Sequence, residues 1–246
     1  MGFSRGIDII TDELIFYWDA ANKRSYPGSG TTINNLVGIE NTATLVNGAA
    51  YNTDQKGHFV FDGVNDHIEL GDNDIFTFGD GSDDSAFSIS AWCYVEDASG
   101  YVIADKYSGA YDGEYYFYTS TDDKLYFSLY DTDVGSYGAW NWIVSNATVT
   151  SAVQGKWTNL TCTYDGRGGS SANVGLTMYI NGAVVASSTA TYATYTAMHN
   201  TNITLQINRY DNVYQSGKMA TYQMYSKELS AAEILQNYNA LKDRFI

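Results

Sequence analysis

The 246-residue chain contains very little proline and cysteine, and each shortage excludes a class of protein. Pro27 is the single proline and the composition does not shift along the chain, so there is no evident linker and the sequence predicts one domain. Two cysteines, Cys93 and Cys162, are too few for a disulfide framework. Each falls within a predicted strand, so we expect two buried thiols, with a disulfide between neighbouring strands as the alternative.

Basic residues and long apolar segments are scarce as well. Lys and Arg number 13 against 28 Asp and Glu, a formal net charge of −15. Nucleic-acid binding needs clustered basic residues, and these are scattered, so we expect no nucleic-acid partner. No run approaches the length of a membrane span, so we expect no membrane insertion. Residues 1–8 lack the apolar core of a secretory signal.

Short strand-like segments, by contrast, follow one another along the chain. In residues 87–96 apolar and polar side chains alternate, which predicts a strand that buries one face. Asn181-Gly182 lies between two apolar runs and predicts a hairpin turn, because both residues adopt positive φ readily. Ser230 and Glu233 form a capping box at the start of a predicted helix. Its apolar stripe is predicted to contain Ile234, Leu235, Tyr238 and Leu241.

The order of these segments resembles the laminin G-like, concanavalin A-like jellyroll family. The segments that carry the resemblance are ELIFYWDAANKRSYPGSGTTINNLVG (13–38), FDGVNDHI (61–68) and ELSAAEILQNYNALKDRF (228–245). They look most like the form carried by tailed-phage virion proteins, notably marine ones. The resemblance implies an all-β, two-sheet antiparallel jellyroll sandwich with one short C-terminal helix. It would occupy residues 13–246 as a single domain, preceded by an N-terminal arm at residues 1–12.

Enzymes of this family need residue patterns that the chain does not have. Its glucanases place carboxylates as Glu-x-Asp-x-x-Glu on one strand, and none of the seven glutamates fits that spacing. Its alginate lyases use Arg and Gln/His on one strand with a Tyr base on another. The segment LQIN (205–208) lacks the histidine, and no matching Arg-x-Glu strand occurs. His58, His67 and His199 lie far apart, and no Gly-x-Ser-x-Gly elbow occurs. We therefore expect no catalytic residues and no enzymatic activity.

A metal site is not expected either. Related domains often hold calcium with an acidic residue just after a glycine of the last long strand, but Gly217 is followed here by Lys218, Met219, Ala220 and Thr221. An acidic loop offers oxygen ligands that suit calcium, although its spacing matches no EF-hand; a solvated loop is the alternative. Its aspartates are Asp72, Asp74, Asp80, Asp83 and Asp84. We expect no cofactor.

Aromatic residues are abundant, with 22 Tyr, 5 Trp and 10 Phe, and many fall in Gly-rich segments that predict loops. A sugar presents apolar C–H faces and hydroxyl groups, so a glycan site combines aromatic platforms with polar side chains. Three predicted loops have that mixture, and subunit packing is the alternative role for them. The predicted glycan-binding residues are Tyr107, Tyr111, Asp112, Trp140, Trp142, Arg209, Tyr210 and Asp211.

These expectations combine into a function. The resemblance implies a non-enzymatic, lectin-like virion surface protein, a capsid decoration or tail-tip adhesin that is assembled in the host cytoplasm and released by lysis. Its expected partners are a virion structural protein and cell-surface glycans bound weakly and multivalently, and a homo-oligomer is left open. The N-terminal arm, residues 1–12, is a candidate attachment segment, and we expect deletion of residues 1–10 to weaken incorporation into particles. The alternative is a carbohydrate-binding module, or an inactive glucanase-like or lyase-like domain, of a cellular polysaccharide system.

Overall fold

Two antiparallel β-sheets enclose the hydrophobic core in the computed structural model, which describes residues 7–38, 41–108, 112–132, 139–145, 148–192 and 194–246. The strands are β1 (Leu14–Asp19), β2 (Thr32–Asn34), β3 (Thr42–Val46), β4 (Ala50–Asn52), β5 (His58–Asp62), β6 (His67–Gly71), β7 (Phe87–Val95), β8 (Val102–Tyr107), β9 (Gly113–Thr119), β10 (Leu125–Asp131), β11 (Ala139–Ser145), β12 (Trp157–Tyr164), β13 (Leu176–Ile180), β14 (Ala183–Val184), β15 (Ser187–Tyr192), β16 (Leu205–Ile207), β17 (Arg209–Tyr210), β18 (Val213–Tyr214) and β19 (Ser216–Tyr225). The helices are α1 (Thr150–Val153) and α2 (Ala231–Leu241), with 3₁₀ segments at Asp54–Lys56, Asp74–Phe76, Gly169–Gly175 and Lys242–Arg244.

The strand order confirms the predicted all-β, two-sheet sandwich. The first sheet runs β14-β13-β12-β7-β19-β5-β4, and β1 pairs with the C-terminal half of β19. The second sheet runs β15-β11-β10-β9-β8-β16-β6-β3-β2. Strands β17 and β18 form a separate two-stranded hairpin. About half of the neighbouring strand pairs, such as β7 with β19 and β8 with β16, are distant in sequence, which is typical of a jellyroll.

Alternation along the strands of the second sheet divides core residues from outward residues. In β9 and β10 every second side chain is completely buried and belongs to the main hydrophobic cluster. These core residues are Tyr115, Phe117, Leu125, Phe127 and Leu129. The residues between them point to the opposite face, and most of those are tyrosines.

The first sheet is covered on both faces, so the prediction of one buried face for residues 87–96 is wrong in this respect. Trp92 points away from the main core and is nevertheless 1% exposed. Its ring stacks on Phe245, with centroids 4.3 Å apart, and on Tyr238 of α2 at 5.7 Å. The helix and the C-terminal residues therefore bury the outer face of β7, which alternation within the strand cannot reveal.

Local signals for turns and caps are confirmed. Asn181 and Gly182 both have positive φ, 52° and 77°, in the turn between β13 and β14. Ser230 and Glu233 form the capping box at the start of α2. The apolar stripe of α2 is narrower than predicted, because Ile234 is buried whereas Leu235 is 47% exposed.

In the ranges that the structure describes, no helix is both long and apolar enough to cross a membrane.

Both cysteines and the described part of the N-terminal arm belong to the packed interior or its border. Cys93 and Cys162 are buried free thiols, as predicted. The Ile10 amide donates a hydrogen bond of 2.7 Å to Asn237 of α2, and the Tyr225 hydroxyl donates one of 3.0 Å to the Ile10 carbonyl. Lys227 pairs with Asp12 at 2.8 Å. Residues 8–12 thus lie against the sandwich rather than extending from it.

Candidate functional site

The outer face of the second sheet carries a row of tyrosines. Tyr116 and Tyr118 alternate with core residues on β9, and Tyr126 and Tyr130 do the same on β10. The register of the antiparallel pair sets Tyr118 directly opposite Tyr126, and residues opposite one another share a face of the sheet. Period-two geometry therefore places these phenol rings side by side.

The rings are nearly parallel and in contact. Tyr116 and Tyr118 stack with centroids 3.8 Å apart and planes 10° apart, and Tyr118 lies 5.4 Å from Tyr126. At the end of β8, Tyr107 stacks on Tyr130 at 4.1 Å and 13°. Offset stacking of this kind stabilises aromatic pairs beyond the area that they bury. Each ring thereby covers part of its neighbour: Tyr116 is 6% exposed, whereas the other four rings are half-buried.

The β17–β18 hairpin adds a sixth ring from a distant part of the chain. Tyr210 lies 5.1 Å from Tyr116, and its ring is parallel to that of Tyr107 within 1° at 6.1 Å. Asn208, buried and with a φ of 61°, holds the entry to the hairpin by donating to the carbonyls of Asp66 (3.0 Å) and Gln215 (2.8 Å). We define the tyrosine row as Tyr107, Tyr116, Tyr118, Tyr126, Tyr130 and Tyr210.

Two clefts flank the hairpin. The larger, of about 410 Å³, has five tyrosines of the row in its lining, and we call it the tyrosine cleft. Its remaining lining residues are mostly small and polar: Ser99, Gly100, Thr119, Ser120, Thr121, Val213 and Gln215. The side cleft, of about 270 Å³, lies on the other side of Tyr107. It is lined by Tyr107, Ser108, Asn202, Ile203, Thr204, Gln206, Arg209 and Asp211.

A buried ion pair joins β8 and β9 next to the row. Lys106 and Glu114 are both completely buried, and the Lys106 ammonium contacts the Glu114 carboxylate at 2.6 Å. The same Glu114 oxygen accepts hydrogen bonds from the Thr201 amide (3.0 Å) and hydroxyl (3.1 Å). Asp72 also pairs with Lys106, at 3.2 Å. The lysine charge is therefore neutralised inside the protein and does not face the clefts.

Burial at this site favours the uncharged forms of its titratable groups. Asp105 is 2% exposed, and its Oδ1 accepts a hydrogen bond of 3.0 Å from the Tyr107 amide. Burial raises the pKa of Asp105 well above its usual value, against the opposing charge of Arg209. Burial likewise raises the pKa of Tyr116 and Tyr130, so these phenols remain neutral donors and acceptors.

Comparison with known proteins agrees with this architecture. A laminin G-type family model, described as the concanavalin A-like lectin/glucanases superfamily, matches residues 61–235. The chain belongs to this family. A search of curated proteins gave no match.

Several solved structures share the fold of this concanavalin A-like chain. The binding domain of botulinum neurotoxin serotype D has 16% identity and a TM-score of 0.63, and the match covers 93% of this chain and 52% of that one. The binding domain of Paraclostridial Mosquitocidal Protein 1 has 15% identity and a TM-score of 0.65, over 92% and 52% of the two chains. A serotype D ligand-binding domain in complex with N-acetylneuraminic acid has 16% identity and a TM-score of 0.62, over 93% and 51%. This chain spans about half the length of those chains, and at such identity the similarity shows the fold alone.

The structure brings together some of the predicted glycan-binding residues. Tyr107 and Tyr210 belong to the tyrosine row, while Arg209 and Asp211 line the side cleft with Tyr107. Asp112 is exposed just before β9 and is not among the described residues that line either cleft. Tyr111 lies outside the described residues.

The predicted loop around the two tryptophans is wrong over residues 139–145, which form strand β11. Its backbone pairs Trp140 with Tyr130 and Trp142 with Ser128, so both positions extend the sheet beside the tyrosine row. The glycines at 135 and 138 suggested a connection, whereas pairing with β10 and β15 determines a strand. A role for the two tryptophans in binding stays a prediction.

Sequence reasoning missed four residues of the site: Tyr116, Tyr118, Tyr126 and Tyr130. Tyrosine is common in strands, so its presence there does not by itself indicate a binding site. The sequence signal that identifies them is their position in the alternation of side chains along each strand. Each of these tyrosines is out of phase with the apolar residues of its own strand, which places it on the outer face.

The acidic loop is occupied by interactions within the protein. The Asp80 carboxylate accepts hydrogen bonds from the Ser82 and Asp83 amides, at 2.8 and 2.9 Å. Asp84 accepts from the Tyr164 and Tyr195 hydroxyls, at 2.7 and 2.9 Å. In the described ranges, no group of three or more His, Cys, Asp or Glu side chains is placed to hold a metal ion. These aspartates fix the loop.

The buried carboxyl group of Asp105, opposite Tyr116 in the β8–β9 pair, predicts that stability depends on pH. Because the folded-state pKa of Asp105 is raised, folding favours the protonated acid, and its contribution to stability decreases as pH rises above the unfolded value near 4. Asn at this position cannot ionise and can still accept from the Tyr107 amide. The melting temperature of Asp105→Asn relative to wild type should therefore rise steadily between pH 4 and pH 7 in thermal unfolding scans.

The matched control is Asp112→Asn, which removes an exposed carboxylate near the same strand pair. Equal behaviour of both variants would mean that Asp105 is ionised in the folded protein.

Proposed function

We propose that this protein is a non-catalytic, glycan-binding domain whose ligand lies on the tyrosine row. The observation that carries the proposal is the set of nearly parallel tyrosine rings along a cleft with a polar rim. The C–H face of a pyranose packs on such rings, as apolar ligand surface does in aromatic-lined sites. The rim supplies hydroxyl and amide groups for the sugar hydroxyls, namely those of Ser99, Ser120, Thr121 and Gln215.

Charge favours a neutral sugar. The tyrosine cleft has no charged residue among its described lining, and the chain as a whole has a net charge of −15. A strongly anionic polymer would be repelled at long range and would find no cation in this cleft. Arg209 lies in the side cleft and already pairs with Glu69 at 3.6 Å.

The similar structures add support of a weaker kind. They are named as binding domains, and one of them holds N-acetylneuraminic acid. A shared fold does not fix a shared ligand, because one fold carries many functions. The argument for sugar binding therefore depends on the tyrosine row of this chain.

Removing one ring of the row should weaken binding. Stacking of a flat ligand on an aromatic side chain contributes about 1–3 kcal/mol, so Tyr210→Ala should reduce affinity for a glycan by about 5- to 150-fold. Tyr210→Phe keeps the ring and should retain most of the affinity. A glycan array identifies the ligand, and calorimetric titration of each variant then measures the change.

Tyr94→Ala is the matched control, since Tyr94 is a half-buried tyrosine of the first sheet, beneath Lys218. It should leave affinity unchanged. Equal affinity of wild type and Tyr210→Ala, with the ligand still bound, would remove the tyrosine row from recognition.

Absence of catalysis is part of the proposal. The glucanase carboxylate spacing does not occur in the sequence, and the described lining of the tyrosine cleft contains no Asp, Glu or His. Incubation with laminarin, agarose, alginate and bacterial polysaccharides should release no new reducing ends and no unsaturated products. Turnover that a single substitution abolishes would contradict the proposal.

We further propose that the domain acts on the surface of a phage virion, as a capsid decoration or tail-tip adhesin. This step is supported by the likeness of residues 13–38 and 228–245 to phage-borne domains of the family. Many copies on one particle would convert a weak glycan contact into useful avidity. The alternative setting, a cellular polysaccharide system, would use the same tyrosine row.

The virion role predicts that the protein co-purifies with intact particles. Mass spectrometry of density-purified phage should detect it in fixed stoichiometry to the major capsid or tail proteins, and antibodies against the domain should label particles in electron micrographs. Its absence from particles, together with neighbouring sugar-utilisation genes, would favour the cellular alternative.

A further inference from the structure

One edge of the second sheet, strand β15, is long. The Gly169–Gly175 segment packs against this strand and Asn173 donates to the Thr189 hydroxyl at 3.0 Å, but the outer backbone groups of the strand have no described hydrogen bond. Strand β15 has six residues, Ser187–Tyr192, and its described backbone hydrogen bonds are those with β11. An edge strand with unpaired N–H and C=O groups is a template for another strand. Natural edges are protected by charged side chains, proline, bulges or short length. The sequence SSTATY contains no charged residue and no proline.

The other described edges are protected. Strands β2 and β4 have three residues each, and β14 has two. The outer edge of β1 is capped, because Asn35 accepts from the Tyr17 amide and donates to the Ile15 carbonyl, at 3.0 and 3.2 Å. The Tyr17 carbonyl accepts from the Leu36 amide at 2.8 Å. Open length is thus concentrated at β15.

The sequence around this long edge is also uncharged. Residues 168–208, which include β15, contain no Asp, Glu, Lys or Arg over 41 consecutive positions. Residues 134–155, which include the neighbouring strand β11, contain none either. Two copies of a chain with a net charge of −15 repel one another over most of their surfaces, but not where these segments meet.

We propose that β15 is a homodimer interface, at which a second copy of this chain adds its own β15 in antiparallel orientation. A two-fold contact uses the same patch on both subunits, so the patch must be self-complementary. A neutral strand of Ser, Thr, Ala and Tyr meets that requirement, because no like charges face one another across the axis.

The dimer has a defined geometry. An antiparallel pair of identical edge strands is related by an axis perpendicular to the sheet, so both tyrosine rows face the same side. Five strand spacings separate β10 of one copy from β10 of the other, which is about 24 Å at 4.8 Å per spacing. If the proposed glycan function holds, one polysaccharide chain can contact both rows. The interface itself does not depend on that function.

Charge substitutions at the edge test the interface. Ser188 is exposed and Ala190 half-buried, and as alternate residues of β15 they lie on one face of the strand. The double variants Ser188→Lys/Ala190→Lys and Ser188→Asp/Ala190→Asp set like charges opposite one another across the axis. In sedimentation equilibrium at micromolar concentration, wild type should show twice the chain mass of 27.1 kDa, and each double variant the chain mass.

Mixing the two double variants places opposite charges across the axis. An equimolar mixture of the Lys and Asp double variants should form heterodimers, which separates charge repulsion from misfolding. Thr32→Lys, on the opposite edge of the same sheet, is the matched control and should remain dimeric. A monomeric wild type, or a dimer that both double variants preserve, would overturn the proposal.

The glycan-deficient variant distinguishes this inference from the proposed function. Tyr210→Ala lies away from β15 and should dimerise as the wild type does. A dimer that binds no glycan would reject the proposed function and leave the interface intact.

Discussion

The buried ion pair between Lys106 and Glu114 is the interaction on which the tyrosine row depends. It joins β8 to β9 beside an irregularity in their register, between Lys106 and Tyr107. A strand that slips by one residue turns all its side chains to the other face, and here a slip would also leave a buried charge without its partner. The pair therefore fixes which tyrosines of β9 point outward next to Tyr107.

The same carboxylate reaches a third element. Through the Thr201 amide and hydroxyl, Glu114 holds the segment that leads into β16 and the β17–β18 hairpin. Asn208 then orients the hairpin so that Tyr210 meets the rings from β8 and β9. Residues about a hundred positions apart thus form one surface because a few buried polar contacts determine how three elements meet.

Features of the fold and the site that depend on residues close in sequence could be predicted from the sequence, whereas features that depend on distant residues could not. The turn at Asn181-Gly182 and the cap at Ser230 are local, and both were predicted correctly. The burial of Trp92 depends on Phe245, more than 150 positions away, and was missed. The row itself had a local signal, the position of Tyr116 and Tyr118 in the alternation of side chains, but its assembly required strand order and register that no local pattern contains.

The distribution of charge gives the molecule distinct surfaces. Six of its twelve described Lys and Arg residues form ion pairs, among them Lys106 in the interior, Arg209 with Glu69, and Lys227 with Asp12 and Glu233. The excess of carboxylates keeps copies of the chain apart over most orientations, because like-charged surfaces repel. Two copies therefore repel one another least where uncharged residues of both copies meet. Two uncharged regions neighbour one another on the second sheet, the lining of the tyrosine cleft and the edge formed by β11 and β15. The proposed glycan surface and the proposed dimer edge therefore share one constraint: in a strongly acidic chain, an uncharged ligand or another strand meets the least repulsion at uncharged surface.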